Sequence, residues 1–191
     1  MFNIANFLSF LRILLAPIFV YVFFLDGWGW AFVAFWIALG IELTDIYDGR
    51  LARQYGVVSD FGKLFDPIAD RISRFTIFLA FLAAGLAPLW MVTLLYLRDE
   101  MVSLIRMLAA NRNIVVAARQ SGKIKAVTQG IAICVTLFVK FVLLFLGVSD
   151  QVYTDVLYQT AWFLMFLTTA TTLVSLVDYL YSGREVLKSY R

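Results

Sequence analysis

Four aspartates carry the most chemistry in this sequence. Asp45 and Asp48 stand three residues apart, Asp66 and Asp70 four apart, and both pairs lie where a strongly apolar run meets a short polar stretch. On a helix either spacing puts both carboxylates on one face. Two helix ends joined by a loop of about a dozen residues would bring the pairs together. Facing carboxylates repel one another unless a cation lies between them. The chain has no His and one Cys, so oxygen ligands must do the work, and a hard divalent ion such as Mg²⁺ or Mn²⁺ suits them better than zinc. The other arrangement open to these acids is a solvated ionic collar with Arg50, Arg53, Lys63, Arg71 and Arg74. The glycines beside the acids, Gly49 and Gly62, weigh against that, because glycine lets a phosphate approach the backbone closely.

The elements that must hold these residues are set by composition. The chain of 191 residues is 62% hydrophobic and 15% charged, with mean hydropathy +0.85. A soluble domain is nearer half apolar and a quarter charged. The expectation is an all-α integral membrane protein, one domain over residues 1–191. About 20 apolar residues make a span, which places six transmembrane helices near 8–25, 30–48, 64–84, 87–108, 127–147 and 157–180. Residues 2–10 read as a short interfacial lead-in rather than a cleavable signal peptide. The stretches near 26–29, 85–87 and 148–156 lack Lys and Arg, whereas Arg50, Arg53, Lys63, Arg112, Arg119, Lys123, Lys125, Arg184, Lys188 and Arg191 gather in the alternate ones. The positive-inside rule then puts the four aspartates and both termini on the cytoplasmic face. The cations form no continuous stripe, so no nucleic-acid partner is expected. Cys134, inside an apolar run, reads as packing.

The stretch Asp45-x-x-Asp48-Gly49-x-x-Ala52-Arg53, eight residues, Gly62-x-x-x-Asp66-x-x-x-Asp70 resembles the signature of the CDP-alcohol phosphotransferase family at every defined position. The resemblance implies that family's fold, a dinuclear Mg²⁺ or Mn²⁺ site on Asp45, Asp48, Asp66 and Asp70, and Asp70 as the base that deprotonates an acceptor alcohol. It also implies the reaction, in which the alcohol attacks the β-phosphorus of a CDP-linked donor and CMP leaves. Gly49, Ala52, Arg53 and Gly62, with Ser59 in the connecting segment, are then the donor-nucleotide residues. Outside the signature, Asn6-x-x-Ser9-x-x-Arg12, Arg98-Asp99-Glu100 through Arg106, and Gly122-Lys123-x-Lys125-Ala126-x-x-Gln129 resemble the branch that makes phosphatidylglycerophosphate. Asn6 and Ser9 join the donor-nucleotide set on that basis. Arg98, Arg119, Lys123 and Lys125 become a pocket for a phosphate-bearing acceptor.

The expected donor is CDP-diacylglycerol, whose acyl chains stay in membrane lipid, and the expected acceptor is sn-glycerol 3-phosphate. Inositol phosphate or serine as acceptor, and transfer from CDP-choline to diacylglycerol, keep the same chemistry. Outside catalysis the acids suit a cation transporter, although no broken helix pair marks a midplane site. The family is often dimeric, so a homodimer is possible. Departures at Ala126, Arg71 and Glu42 bear on the acceptor. Among the polar residues within spans, Glu42 is expected to pair with a buried cation, Lys140 to snorkel to the outer surface, and Arg98, Asp99 and Glu100 to form a paired plug or to aim Arg98 at substrate. Trp28, Trp30, Trp90, Tyr153 and Tyr158 read as an interfacial belt.

Overall fold

The computed structural model describes the backbone of residues 4–55, 60–111 and 119–184, and the side chains of residues 7–44, 65–109 and 119–184. Six helices account for almost all of it: α1 (Ile4–Phe23), α2 (Trp28–Tyr55), α3 (Asp60–Ala83), α4 (Leu89–Asn111), α5 (Gln120–Leu146) and α6 (Asp150–Ser182). Each overlaps one of the six runs expected from hydropathy, and α2 and α6 are longer than expected. α5 and α6 are each long and apolar enough to cross a membrane, and Phe7–Phe23 and Trp28–Thr44 are shorter apolar stretches. Large apolar side chains cover the outside, among them Trp36, Ile131, Phe163 and Val174.

Three tight turns close one end of the bundle. α3 stops at Gly85, whose positive φ of 74° lets Leu86 N–H reach back to the Phe81 carbonyl at 2.8 Å. α5 stops at Gly147 in the same left-handed conformation. Glycine takes this backbone shape without a Cβ penalty, which is why these helices end there. Beneath the turns lies the core, where Phe19, Phe23, Phe78, Phe81, Met91 and Ile133 are buried. α1 packs on α3 and α2, α5 on α6 and α2, and α4 on α6.

One expectation changes. α2 does not end near residue 48. It runs to Tyr55, and α3 begins at Asp60, so Asp45 to Arg53 lie wholly on helix and there is no loop of about a dozen residues. Leu51, Ala52, Arg53 and Gln54 are strong helix formers, and a single glycine at 49 costs only about 1 kcal/mol. Lys140 on α5 extends toward the end of the bundle that carries Asp26 and Asp150. Its ammonium donates to the Phe23 carbonyl at 2.7 Å and lies 3.8 Å from the Phe23 ring centroid. The last carbonyls of a helix lack partners of their own, so Lys140 on α5 closes the end of α1.

Candidate functional site: a basic cavity beside Asp70

The pairing of α1 with α3 sets the first part of the site. Ser9 and Arg12 are three apart on α1, and Asp66 and Asp70 are four apart on α3. Each spacing keeps its two residues on one helix face, and the faces meet. Ser9, fully buried, donates its hydroxyl to Asp66 Oδ1 at 2.6 Å. Arg12, 1% exposed, brings Nη1 to 3.8 Å from Asp70 Oδ1. One turn beyond, Arg74 Nε lies 3.3 Å from the same oxygen. Asp70 therefore sits between two guanidiniums.

Arg74 also ties in α2. Its Nε and Nη2 donate to Glu42 Oε1 and Oε2 at 3.2 and 3.1 Å, which is the buried pairing expected of Glu42. α5 closes over the pair at Gly130, where a Cβ would stand 2.8 Å from Glu42 Oε2. A buried guanidinium and carboxylate joined in this bidentate way offset each other's desolvation.

Beyond Asp70 opens a cavity of about 330 Å³ between α3, α4, α5 and α6. Arg98, Arg119, Lys123 and Lys125, the four residues expected to bind an acceptor phosphate, all line it, and so do Arg71, Arg74 and Arg106. Only Asp70 and Asp99 on the lining are acidic. Behind the wall, Glu100 pairs with Arg71, Glu42 with Arg74, and Asp178 with Arg119.

The cations are not equivalent. Lys125 gives two short bonds, 2.7 and 2.8 Å, to Asp99. Arg98 donates to Asp99 and to Ser175 Oγ, which leaves its buried Nε without a partner. Arg119 is held by Asp178 and by Ser182 Oγ. Arg106 and Lys123 meet no carboxylate among the described residues; Arg106 donates to the Tyr179 hydroxyl at 2.8 Å. A phosphate monoester with about two negative charges entering here would meet two cations not already neutralised. The plug of Arg98, Asp99 and Glu100 is paired as one reading had it, and Arg98 also faces the cavity.

Ser9, expected with the donor nucleotide, donates its hydroxyl to Asp66, one of the four signature aspartates. Asp45, Asp48, Gly49, Ala52 and Arg53 lie on α2 and Gly62 on α3, but their side chains, with that of Asn6, lie outside the described residues, as does Ser59 altogether. Among the described residues no three acids, cysteines or histidines stand together as a metal cluster. Asp66 accepts the Ser9 bond on one oxygen, and a carboxylate offers about four lone-pair positions, so it retains capacity for a cation.

Sequence reasoning placed α6 but gave its polar residues no part in the site. Ser175, Asp178, Tyr179 and Ser182 all reach cavity residues. Their signal was available as a polar stripe at i, i+3, i+4 and i+7 within an otherwise apolar helix.

Comparison with known proteins accords with this geometry. The model of the family described as CDP-alcohol phosphatidyltransferase matches residues 2–174. The chain is 35% identical over 134 residues to a probable phosphatidylglycerophosphate synthase of Mycobacterium tuberculosis (strain ATCC 25618 / H37Rv), covering 69% of this chain and 64% of that protein. It is 34% identical over 148 residues to the CDP-diacylglycerol–glycerol-3-phosphate 3-phosphatidyltransferase of Bacillus subtilis (strain 168), covering 70% of this chain and 75% of that protein. A putative cardiolipin synthase of Mycobacterium bovis is 29% identical over 163 residues, covering 84% of this chain and 72% of that protein. The matched part thus spans just under two thirds of the mycobacterial synthase's length.

Proposed function

Since the chain belongs to the CDP-alcohol phosphatidyltransferase family, we propose that it transfers the phosphatidyl group of CDP-diacylglycerol to sn-glycerol 3-phosphate, forming phosphatidylglycerophosphate and CMP. The observation that carries this reading is the cavity with Asp70 on its wall and two uncommitted cations, Arg106 and Lys123, on its lining. An acceptor that bears both a phosphate and a hydroxyl suits such a place. The name of the Bacillus subtilis relative favours the same donor and acceptor.

In this reading the acceptor phosphate binds Arg106, Lys123 and Arg98, and its hydroxyl lies toward Asp70. Asp70 takes the hydroxyl proton as the new oxygen–phosphorus bond forms at the β-phosphorus. The bond from that phosphorus to the CMP oxygen breaks, and CMP leaves with the electron pair. Arg12 and Arg74 hold Asp70 in place. Asp45, Asp48, Asp66 and Asp70 would hold two divalent ions, Mg²⁺ or Mn²⁺. When bound, such ions neutralise charge on the pyrophosphate and reacting oxygens. Gly49, Ala52, Arg53, Ser59, Gly62 and Asn6 serve the donor nucleotide. Six membrane spans put this end of the bundle and both termini at the cytoplasmic face, where charged substrates are soluble.

The test is CMP release by purified protein in detergent with CDP-diacylglycerol and Mg²⁺, with sn-glycerol 3-phosphate, inositol phosphate or serine in parallel. Release with glycerol phosphate, lost in Asp70→Asn and on chelation with EDTA, is the expected result. Release with another alcohol alone would replace the acceptor. If CDP-diacylglycerol fails with every acceptor, CDP-choline with diacylglycerol is the next pair, and failure there overturns the enzyme reading.

A further inference from the structure

Tyr179 lies beyond the part of the chain that the family model matches, which ends at residue 174. Yet it is among the most enclosed side chains in the protein, 1% exposed, and it lines the basic cavity. Its hydroxyl accepts from Arg106 Nη2 at 2.8 Å and from the Arg119 backbone N–H at 3.3 Å. The guanidinium carbons of Arg98 and Arg106 each lie 5.3 Å from its ring centroid. Gly122, next to Lys123, comes so close that a Cβ there would stand 3.2 Å from the hydroxyl oxygen.

One side chain from α6 thus touches both arginines that α4 sends to the cavity and the entry of α5. Arg98 and Arg106 are eight residues apart on α4, about 12 Å of helix rise. Two long, like-charged side chains on one face repel and lose considerable rotamer freedom when held still. An aromatic face attracts each guanidinium, and the phenol oxygen fixes the rotation of one of them. A phosphate site with its donors already in place is spared the cost of ordering them on binding.

We infer that Tyr179 is a positioning residue for anion recognition: its ring and hydroxyl hold Arg98 and Arg106 in the arrangement that receives the phosphate of the acceptor. This rests on the cavity being the acceptor site, as proposed above. The residue acts through the arginines and performs no step of the transfer.

The test compares Tyr179→Phe, which keeps the ring and loses the hydroxyl, with Tyr179→Leu, which loses both. The KM for sn-glycerol 3-phosphate is expected to rise about tenfold in Tyr179→Phe, the scale of one lost hydrogen bond to a charged group, and further in Tyr179→Leu. The KM for CDP-diacylglycerol should stay within error of the parent protein, while the melting temperature of Tyr179→Phe falls slightly, because the Arg119 N–H loses its acceptor. A parallel rise in both KM values, a fall in kcat alone, or no change in Tyr179→Phe would overturn the inference. A separate readout guards against failure of the proposed reaction: the thermal shift of the parent protein on adding inorganic phosphate. The parent should be stabilised and Tyr179→Phe much less so. If the parent releases no CMP but this contrast appears, the anion clamp stands and the reaction falls. Equal shifts, or none in the parent, remove the clamp.

Discussion

Ser9 on α1, fully buried, and Asp66 on α3, half-buried, are joined by a 2.6 Å hydrogen bond. The bond spends Ser9's only proton and one lone pair of the carboxylate, so it fixes which way Asp66 can turn. Ser9→Ala should leave the helices packed but free that rotation. The expected result is a drop in CMP release of about tenfold, the loss of one hydrogen bond to a charged group, with a matching rise in the Mn²⁺ concentration needed for half-maximal rate. Ser9→Thr, which keeps the hydroxyl, should retain most of the activity. Equal metal dependence in Ser9→Ala and the parent would remove the orienting role.

The cavity's cations should separate by mutation. Arg106→Ala and Lys123→Ala remove charges that no described carboxylate neutralises, and each should raise the KM for the acceptor with little change in melting temperature. Lys125→Ala instead strips Asp99 of its ammonium partner at 2.7 Å. It should lower the melting temperature as well as the activity. The check is a table of KM against melting point for the three variants, and a common pattern in all three would contradict the division.

Glu42→Ala breaks the bidentate pair with Arg74. Removing one partner of a buried ion pair typically costs about 3 kcal/mol or more, so the variant should lose stability strongly in detergent unfolding. Gly130→Ala should act in the same direction through a different residue. Its methyl would meet Glu42 Oε2 at 2.8 Å, and that oxygen cannot swing aside without releasing Arg74.

Lys140→Met keeps length and apolar bulk but loses the donor that closes α1 at the Phe23 carbonyl. A destabilisation of about 1–2 kcal/mol is expected, the cost of a buried carbonyl left without its partner. Both KM values should be unchanged, because Lys140 stands at the opposite end of the bundle from Asp70. A change in acceptor KM would tie the two ends together and refute this.

Much of the site was legible before any coordinates. The spacings of Asp66 with Asp70 and of Ser9 with Arg12 are local helical facts, and hydropathy alone separates the six helices. The pattern of basic and uncharged connections also stands in the chain itself, and the family resemblance grouped Arg98, Arg119, Lys123 and Lys125. One local feature misled: the apolar run alone put the end of α2 near residue 48, and the helix formers that follow Gly49 carried it on to Tyr55.

Which charges remain available was decided only by the tertiary structure. A cation's strength as a ligand depends on the carboxylate already beside it, and here those partners come from far along the chain. Asp99 takes Lys125, Asp178 takes Arg119, and Glu42 takes Arg74, and each pair ties together two parts of the bundle. Ion pairing falls off over a few ångströms in space, not over residues in sequence. For the same reason Tyr179 could pass as one more aromatic near a membrane boundary until α6 was packed against α4, where its ring met Arg98 and Arg106.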